Sequence, residues 1–428
     1  MKHTVTEITL KNGAKGLFIH VPDASVLSVE INFRAGEFLV DRNKWETAHL
    51  MEHILLGANK QYLKSRDFQA EFEKNGAYNN ASTSTYDITY ESECADFEWD
   101  RILGLMLTAI SEPLFLQDEF KAEFGNVKEE LTARSNNHFR HLNLAMREAF
   151  GLLSVTDQER LVLMPHVTQK DVVAHYKKTH TTKNMRFVIA GSLPPSRQET
   201  ITQLFEDIGL PVGTKRIALP NEIPKLLKTP LHITNGTVDN MYFYIDTFLK
   251  RRLSQNEHDA LGLVNSYLTE TFYSRIFGTA RERGLVYSMS SGISEIKNAA
   301  NWWFGAQVLP TNAKDLFEII VEQLQAVFSG KFSEDDLKSM QQYALGRYQR
   351  SAQTVGGTAA GYSSRYFFDE EIEDYYAVPQ RIDAVSLKNI SDATKAMFND
   401  RIWGFGVLGN AGKEQVAELQ NQISRLWK

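Results

Sequence analysis

The 428-residue chain reads as an α+β protein built from two duplicated α/β domains, each a mixed sheet covered by helices. Three observations carry this. The length is too great for one ordinary domain and suits two of about 200 residues. Strand-like alternation and helix-like periodicity succeed one another along the whole chain. The second half also repeats the first at a nearly fixed offset. Val167-Thr168-Gln169-Lys170-Asp171-Val172 stands against Val385-Ser386-Leu387-Lys388-Asn389-Ile390, and without a gap Phe187 then meets Phe405 and Gly191 meets Gly409, all 218 residues apart. Cys94-Ala95 meets Asn312-Ala313 at the same offset, and Phe115–Lys121 meets Phe332–Lys338 at 217. Four stretches that hold one register within a residue mark an internal repeat.

In chain order, Thr6–Leu10 and Gly16–Val21 are predicted strands around an Asn12-Gly13 turn, a strong hairpin signal. Val26–Arg34 alternates like a half-buried strand. Trp45–Leu56 reads as one helix closed by Gly57, and Ser65–Lys74 as a second, ended by Asn75-Gly76. Tyr78–Thr85 is short, polar and β-prone, with Asp87–Glu91 as its pairing strand. Asp96–Ile110, Gln117–Arg134 and Thr168–Thr179 are predicted helices, the last leading into the strand Met185–Ala190. Pro220 and Pro224 interrupt periodic structure. The predicted domains are therefore 1–218 and 229–428, joined by a linker at 219–228.

Bulk properties narrow the function. With 43% hydrophobic and 23% charged residues the composition is that of an ordinary globular protein. A net charge of −6 leaves no electrostatic footprint for nucleic acid or an anionic membrane. Cys94 is the one cysteine, so no internal disulfide is possible, which fits a reducing compartment. The N-terminus lacks the apolar core of a signal peptide, and no apolar run reaches transmembrane length. A cytoplasmic location is the expectation.

The chemistry-bearing stretch is His49-Leu50-Met51-Glu52-His53. On a helix His49 and His53 lie one turn apart on the same face, and Glu52 shares it. Most His pairs at this spacing bind nothing. Three ionisable groups on the apolar side of a helix are harder to dismiss, since unpaired polar groups there cost several kcal/mol on transfer scales without hydrogen bonds. Two imidazoles can bind one metal ion, and the carboxylate can reach a water that the ion holds, the H-x-x-E-H order of inverted zinc peptidases. Catalytic zinc takes a third protein ligand. Downstream, Glu123 and Glu130 are seven residues apart on one helix face, with Glu129 turned about 100° away from Glu130.

This combination resembles the insulinase/pitrilysin family, which includes the mitochondrial processing peptidases. There the H-x-x-E-H motif is followed some seventy residues later by a helix of the form E-x-x-x-V-x-x-E, whose last Glu is the third zinc ligand. The resemblance implies one zinc ion per chain held by His49, His53 and Glu130, with Glu52 as general base and Glu123 supporting a ligand from behind. It also implies that peptides add to a sheet edge at Asn80, Ala81 and Ser82, close to the family's N-A-x-T, by strand addition. In the second half, Ala280-Arg281-Glu282-Arg283-Gly284-Leu285-Val286-Tyr287-Ser288 is similar to the family's R-E-x-x-G-L-x-Y-S. Tyr287 fits as a substrate contact. The arginine expected seven residues earlier is Ala280, so Arg281, one place off, is the nearest candidate. The second copy lacks the metal chemistry: at offset 218 the motif falls on Tyr267-Leu268-Thr269-Glu270-Thr271, and at 217 Glu130 falls on Arg347.

The expectation is a zinc-dependent endopeptidase for short or unfolded peptides held in a closed chamber, a half-sized member that pairs as a homodimer or with a related subunit. Two other readings compete with it. One is a non-catalytic or partner-dependent subunit of a peptidase heterodimer, and the other is a dedicated processing protease for a peptide precursor. Weaker features carry no function. His138 and His141 sit in a polar stretch expected to be solvated surface. Gly356–Gly361 lacks the Lys-Ser/Thr of a phosphate loop and reads as a small-residue packing segment. His175, His180 and Cys94 read as structural.

Overall fold

A computed structural model describes residues Met1–Lys428. The first half runs β1 (Thr4–Thr9), β2 (Lys15–His20), β3 (Val26–Phe33), α1 (Thr47–Leu55), α2 (Ser65–Glu73), β4 (Tyr78–Thr83), β5 (Ile88–Ala95), α3 (Trp99–Ser111), α4 (Gln117–Ser135), α5 (His138–Ala149), α6 (Asp157–Leu163), α7 (Gln169–Thr179), β6 (Met185–Gly191) and α8 (Pro195–Glu206). The second half repeats that order without β1: β7 (Leu231–Thr234), β8 (Met241–Leu249), α9 (Gln255–Thr269), α10 (Phe277–Glu282), β9 (Met289–Ile296), β10 (Ala299–Val308), α11 (Pro310–Phe328), α12 (Glu334–Ser351), α13 (Val355–Asp369), α14 (Val378–Ala384), α15 (Leu387–Asn399), β11 (Ile402–Gly409) and α16 (Lys413–Ile423). No helix is long and apolar enough to cross a membrane.

The two sheets have one topology. The first is ordered β1-β2-β6-β3-β5-β4 and the second β7-β11-β8-β10-β9. In each, one pair is parallel (β2 with β6, β7 with β11) and the rest are antiparallel. The duplication extends to capping chemistry. Thr168 and Ser386, 218 residues apart, both cap their helices in a capping box, accepting from the backbone N–H of Asp171 and Asn389. This satisfies N–H groups that the first helical turn otherwise leaves open. Gly191 (φ 156°) and Gly409 (φ 136°) end the matching strands β6 and β11. A Cβ there would lie 2.9 Å from Leu27 Cδ1 in the first case and 2.3 Å from the Asn240 carbonyl oxygen in the second.

The chain packs into two compact units: Met1–Thr132 with Gln158–Leu219 and Tyr348–Tyr375, and Ala133–Asp157 with Pro220–Arg347 and Tyr376–Lys428. These are not two contiguous halves, because two helices are exchanged. α13 packs on β3 and β6 of the first sheet, and α5 packs on β8 and β11 of the second. The division into 1–218, 219–228 and 229–428 follows chain order and does not describe this exchange. Strand β6 is buried along its whole length because it has cover on both faces. On one side Phe187 stacks on Phe205 with ring centroids 4.3 Å apart. On the other, Val188 and Ala190 join Leu17 and Ile19 against Val355, Ala359, Tyr362 and Tyr366. Truncating Phe187 to Ala costs about 3–5 kcal/mol at such a site. The small residues of Gly356–Gly361 open α13 and let it approach the sheet: a Cβ on Gly356 would come 2.8 Å from Glu93 Oε2.

Two local expectations are corrected. Residues 138–149 form α5, and His138 packs edge-on against Tyr242 at 5.4 Å, because that face of the helix covers the second sheet rather than meeting solvent. The motif helix begins at Thr47, with Glu46 at its N-cap, rather than at Trp45.

Candidate functional site

Helix α1 is held by apolar residues on most of its circumference: Leu50, Met51, Ile54 and Leu55 are fully buried in the first unit's core. That packing fixes the helix and leaves His49 (4% exposed) and Glu52 (9%) facing inward among polar partners. Helix α4 is anchored by Phe120, Val127 and Leu131, which turns Glu123 and Glu130 toward α1. Glu130 Oε2 lies 3.2 Å from His49 Nε2 and 3.4 Å from His53 Nε2. The two imidazole planes are nearly perpendicular, with centroids 4.9 Å apart. Ligands at about 2.0–2.1 Å from a tetrahedral metal lie about 3.3–3.4 Å from one another, which is the spacing of these atoms.

Glu52 belongs to the same cluster: its carboxylate and the two imidazoles offer ligand atoms within 4.8 Å of one another. It is distinguished from Glu130 by its partner. Thr83, at the end of β4, donates from Oγ1 to Glu52 Oε2 at 3.1 Å, which holds that carboxylate to the sheet edge. Burial raises the Glu52 pKa, and the two imidazoles moderate the rise.

Both imidazoles have their other nitrogen on a carboxylate. His53 Nδ1 meets Glu123 Oε2 at 3.0 Å, and Asn126 donates to the same oxygen at 3.2 Å. His49 Nδ1 meets Glu46 Oε2 at 3.0 Å. Burial works against a charged His53 ring, but the Glu123 and Glu130 carboxylates outweigh it and lift its pKa to about 10. The same balance, with Glu130 and Glu46 against burial, raises His49. Glu52, Glu123 and Glu130 thus form a negative surplus around two imidazoles, and it draws positive charge to the point where the Nε2 atoms converge. Two nitrogen donors and a carboxylate with that surplus fit a divalent metal such as zinc. Another carboxylate on α4, Glu119, accepts from the Ala58 N–H at 2.7 Å just past the end of α1. Gly57 makes room for it, since a Cβ there would lie 2.0 Å from Glu119 Oε1.

The strand β4 that carries Asn80, Ala81 and Ser82 is the edge of the first sheet, paired only with β5. Asn80 Nδ2 donates to Glu91 Oε1 at 3.1 Å, and the outer backbone edge of β4 has no strand beside it. In the second unit Tyr287 is 81% exposed. The Arg281 guanidinium lies 4.3 Å above its ring, and Nη1 donates to the Tyr287 carbonyl at 2.8 Å. Both line an open cleft of about 650 Å³ together with Asn240, Gln307 and Asn312.

The structure therefore brings His49, Glu52, His53, Glu123 and Glu130 into one cluster, with the edge strand touching it through Thr83. Sequence reasoning missed Glu46, Arg160 and Thr83. Glu46 stands at the start of the motif helix with no pattern of its own, and its partner Arg160 lies 114 residues downstream. Thr83 was the recoverable one, because it closes the N-A-x-T segment quoted for its neighbours. Cys94 is buried and its thiol is pushed up to about 12 by burial, as suits an unreactive core residue.

Comparison with known proteins places this geometry in a family. Residues 17–155, which contain the whole cluster, match the family model described as Insulinase (Peptidase family M16). Residues 166–343 match the one described as Peptidase M16 inactive domain. That stretch holds none of the clustered residues. No curated protein matches the chain. Among solved structures, a protease from Helicobacter pylori superposes with a TM-score of 0.83 at 18% identity, covering 95% of this chain and 100% of that one. A peptidase M16 inactive domain from Pseudomonas fluorescens gives 0.81 at 16% identity, covering 96% and 98%. These two likenesses speak for the shared fold. Together the two family matches span most of the sequence, and the chain belongs to the insulinase (M16) family of peptidases as a half-sized member.

Proposed function

We propose that this chain is a zinc-dependent endopeptidase acting on short or unfolded peptides, with His49, His53 and Glu130 holding the metal. The observation that carries this is the approach of Glu130 Oε2 to both imidazole Nε2 atoms, at 3.2 and 3.4 Å, each imidazole being backed by its own carboxylate. A zinc ion at that point supplies Lewis acidity, which eases loss of a proton from water near neutral pH and polarises a carbonyl. Glu52 takes the proton from the attacking water at its carboxylate and returns it to the leaving amine. Thr83, by occupying Oε2, leaves the other Glu52 oxygen for that transfer. Glu123 fixes the His53 ring through Nδ1, so that Nε2 keeps its lone pair for the metal.

The open edge of β4 supports strand addition: a peptide laid antiparallel beside Asn80, Ala81 and Ser82 is held mainly through backbone hydrogen bonds, which ask little of its side chains. Tyr287 and Arg281 are proposed to contact the peptide backbone. In this reading the chain works as one half of a dimer that encloses its substrate. A partner-dependent subunit is the second reading. The displaced arginine favours it, because Arg281 already spends one guanidinium nitrogen on the Tyr287 carbonyl.

The deciding experiment is metal analysis of the purified chain beside a quenched-peptide assay with and without a chelator. Stoichiometric zinc and chelator-sensitive cleavage are expected. Zinc without cleavage by the chain alone, and cleavage on adding a related subunit, would favour the second reading. Absence of bound metal would overturn both zinc-based roles.

A further inference from the structure

His49 differs from His53 in what stands behind it. Glu46 is fully buried, and it meets Arg160, itself 6% exposed, through both oxygens. Arg160 Nε donates to Oε1, and Nη2 reaches Oε2 at 3.1 Å and Glu37 Oε1 at 2.9 Å. Glu37 is 7% exposed. A chain of buried ions, Glu37–Arg160–Glu46, therefore ends on His49 Nδ1. Glu123, behind His53, has only the neutral Asn126 and is partly open to solvent.

A buried carboxylate is costly unless paired and fully hydrogen-bonded. Replacing such an ion chain by well-packed apolar residues often costs nothing or stabilises, so packing alone does not explain its presence. The second copy makes the point within the same molecule. On α9, the second unit's counterpart of α1, Ala260, Leu261 and Val264 are fully buried in an apolar core. Where the imidazoles are gone, the buried ion chain is gone too: α14 meets α9 through one partly exposed pair, Arg381 with Asp259 at 3.0 Å.

We propose that Arg160 is a positioning residue for the metal centre, acting through Glu46. Its planar two-pronged grip fixes the plane of the Glu46 carboxylate. Oε2 then holds the proton on His49 Nδ1 and aims the Nε2 lone pair at the ligand site before metal arrives. The inference rests on the zinc reading above.

The test is a competition titration of zinc against a chromophoric chelator, using stripped full-length protein, with thermal melting in parallel. Arg160→Met is expected to weaken zinc binding by about 10–100-fold, the usual range for loss of a group behind a ligand. Arg160→Lys, which keeps the charge without the fork, is expected to recover only part of it. Because Arg160→Met leaves Glu37 and Glu46 buried and unpaired and can fail to fold, the triple variant Glu37→Gln/Glu46→Gln/Arg160→Met removes both charges. It is expected to melt near wild type while still binding zinc at least tenfold more weakly. Wild-type affinity in the well-folded triple variant overturns the inference and leaves the zinc reading intact. A wild-type protein that takes up no zinc overturns both.

Discussion

The two units use the same pair of helices in opposite ways. In the first, α1 and α4 meet through two imidazoles and the Glu130 carboxylate, whose Oε2 lies within 3.4 Å of both Nε2 atoms. In the second, Glu270, just past the end of α9, is joined directly to Arg347 on α12, and Tyr343 donates to the same carboxylate at 3.4 Å. By the 217 offset Arg347 stands where the first unit has Glu130. An ordinary ion pair thus suffices to close the duplicated frame. The first unit's donor set is therefore more than the fold requires, as the proposed metal site would need.

That contrast can be broken by substitution. The largest effect is expected at Glu52. Glu52→Gln should lower peptide turnover by about 10²–10⁴-fold, the range for a lost general acid–base group, while zinc content stays at wild-type level. Normal turnover by this variant would remove Glu52 from the reaction. Next is the carboxylate that closes the donor set: Glu130→Gln should weaken zinc binding by at least about 100-fold, whereas its exposed neighbour Glu129→Gln should bind as wild type. The reverse pattern in a zinc titration would move the ligand by one residue.

A smaller effect is expected on the opposite face of the first sheet. Burial raises the Glu30 carboxyl to about 7, against a hydrogen bond with Ser363 on α13 and with the Glu91 charge adding to the rise. A folded-state pKa above the ordinary 4.5 contributes stability that is full below that value and lost as pH climbs through about 7. Glu30→Gln should therefore melt near wild type at pH 5 and higher than wild type at pH 8, by about 1–3 kcal/mol in stability. Equal melting at both pH values would show that Glu30 titrates normally. The smallest effect belongs to the second unit. Glu270→Gln, at a half-exposed pair, should change stability by about 1 kcal/mol or less and leave zinc content alone. A loss of zinc in that variant would collapse the distinction between the units.

Much of the fold was legible because duplication writes itself into register: Thr168 and Ser386 cap matching helices, and Gly191 and Gly409 close matching strands. The helix exchange was not, since periodicity tells which face of α5 or α13 is apolar but not which sheet it covers. The residues clustered at the candidate site were legible where they share a helix, as His49, Glu52 and His53 do, or sit at a family spacing, as Glu123 and Glu130 do. Arg160 was not. Its meaning lies in a contact with Glu46, and no local pattern reports a long-range ion pair.

The exchanged helices also govern how the protein is made. Leu17, Ile19, Val188 and Ala190 wait for Val355, Ala359 and Tyr362 to cover them. When the ribosome has released residue 219, the first sheet still has one side bare, and it stays so until residues 348–375 emerge. A gene split at the 219–228 connector therefore yields two fragments that each display an uncovered apolar sheet face, and each must borrow a helix from the other.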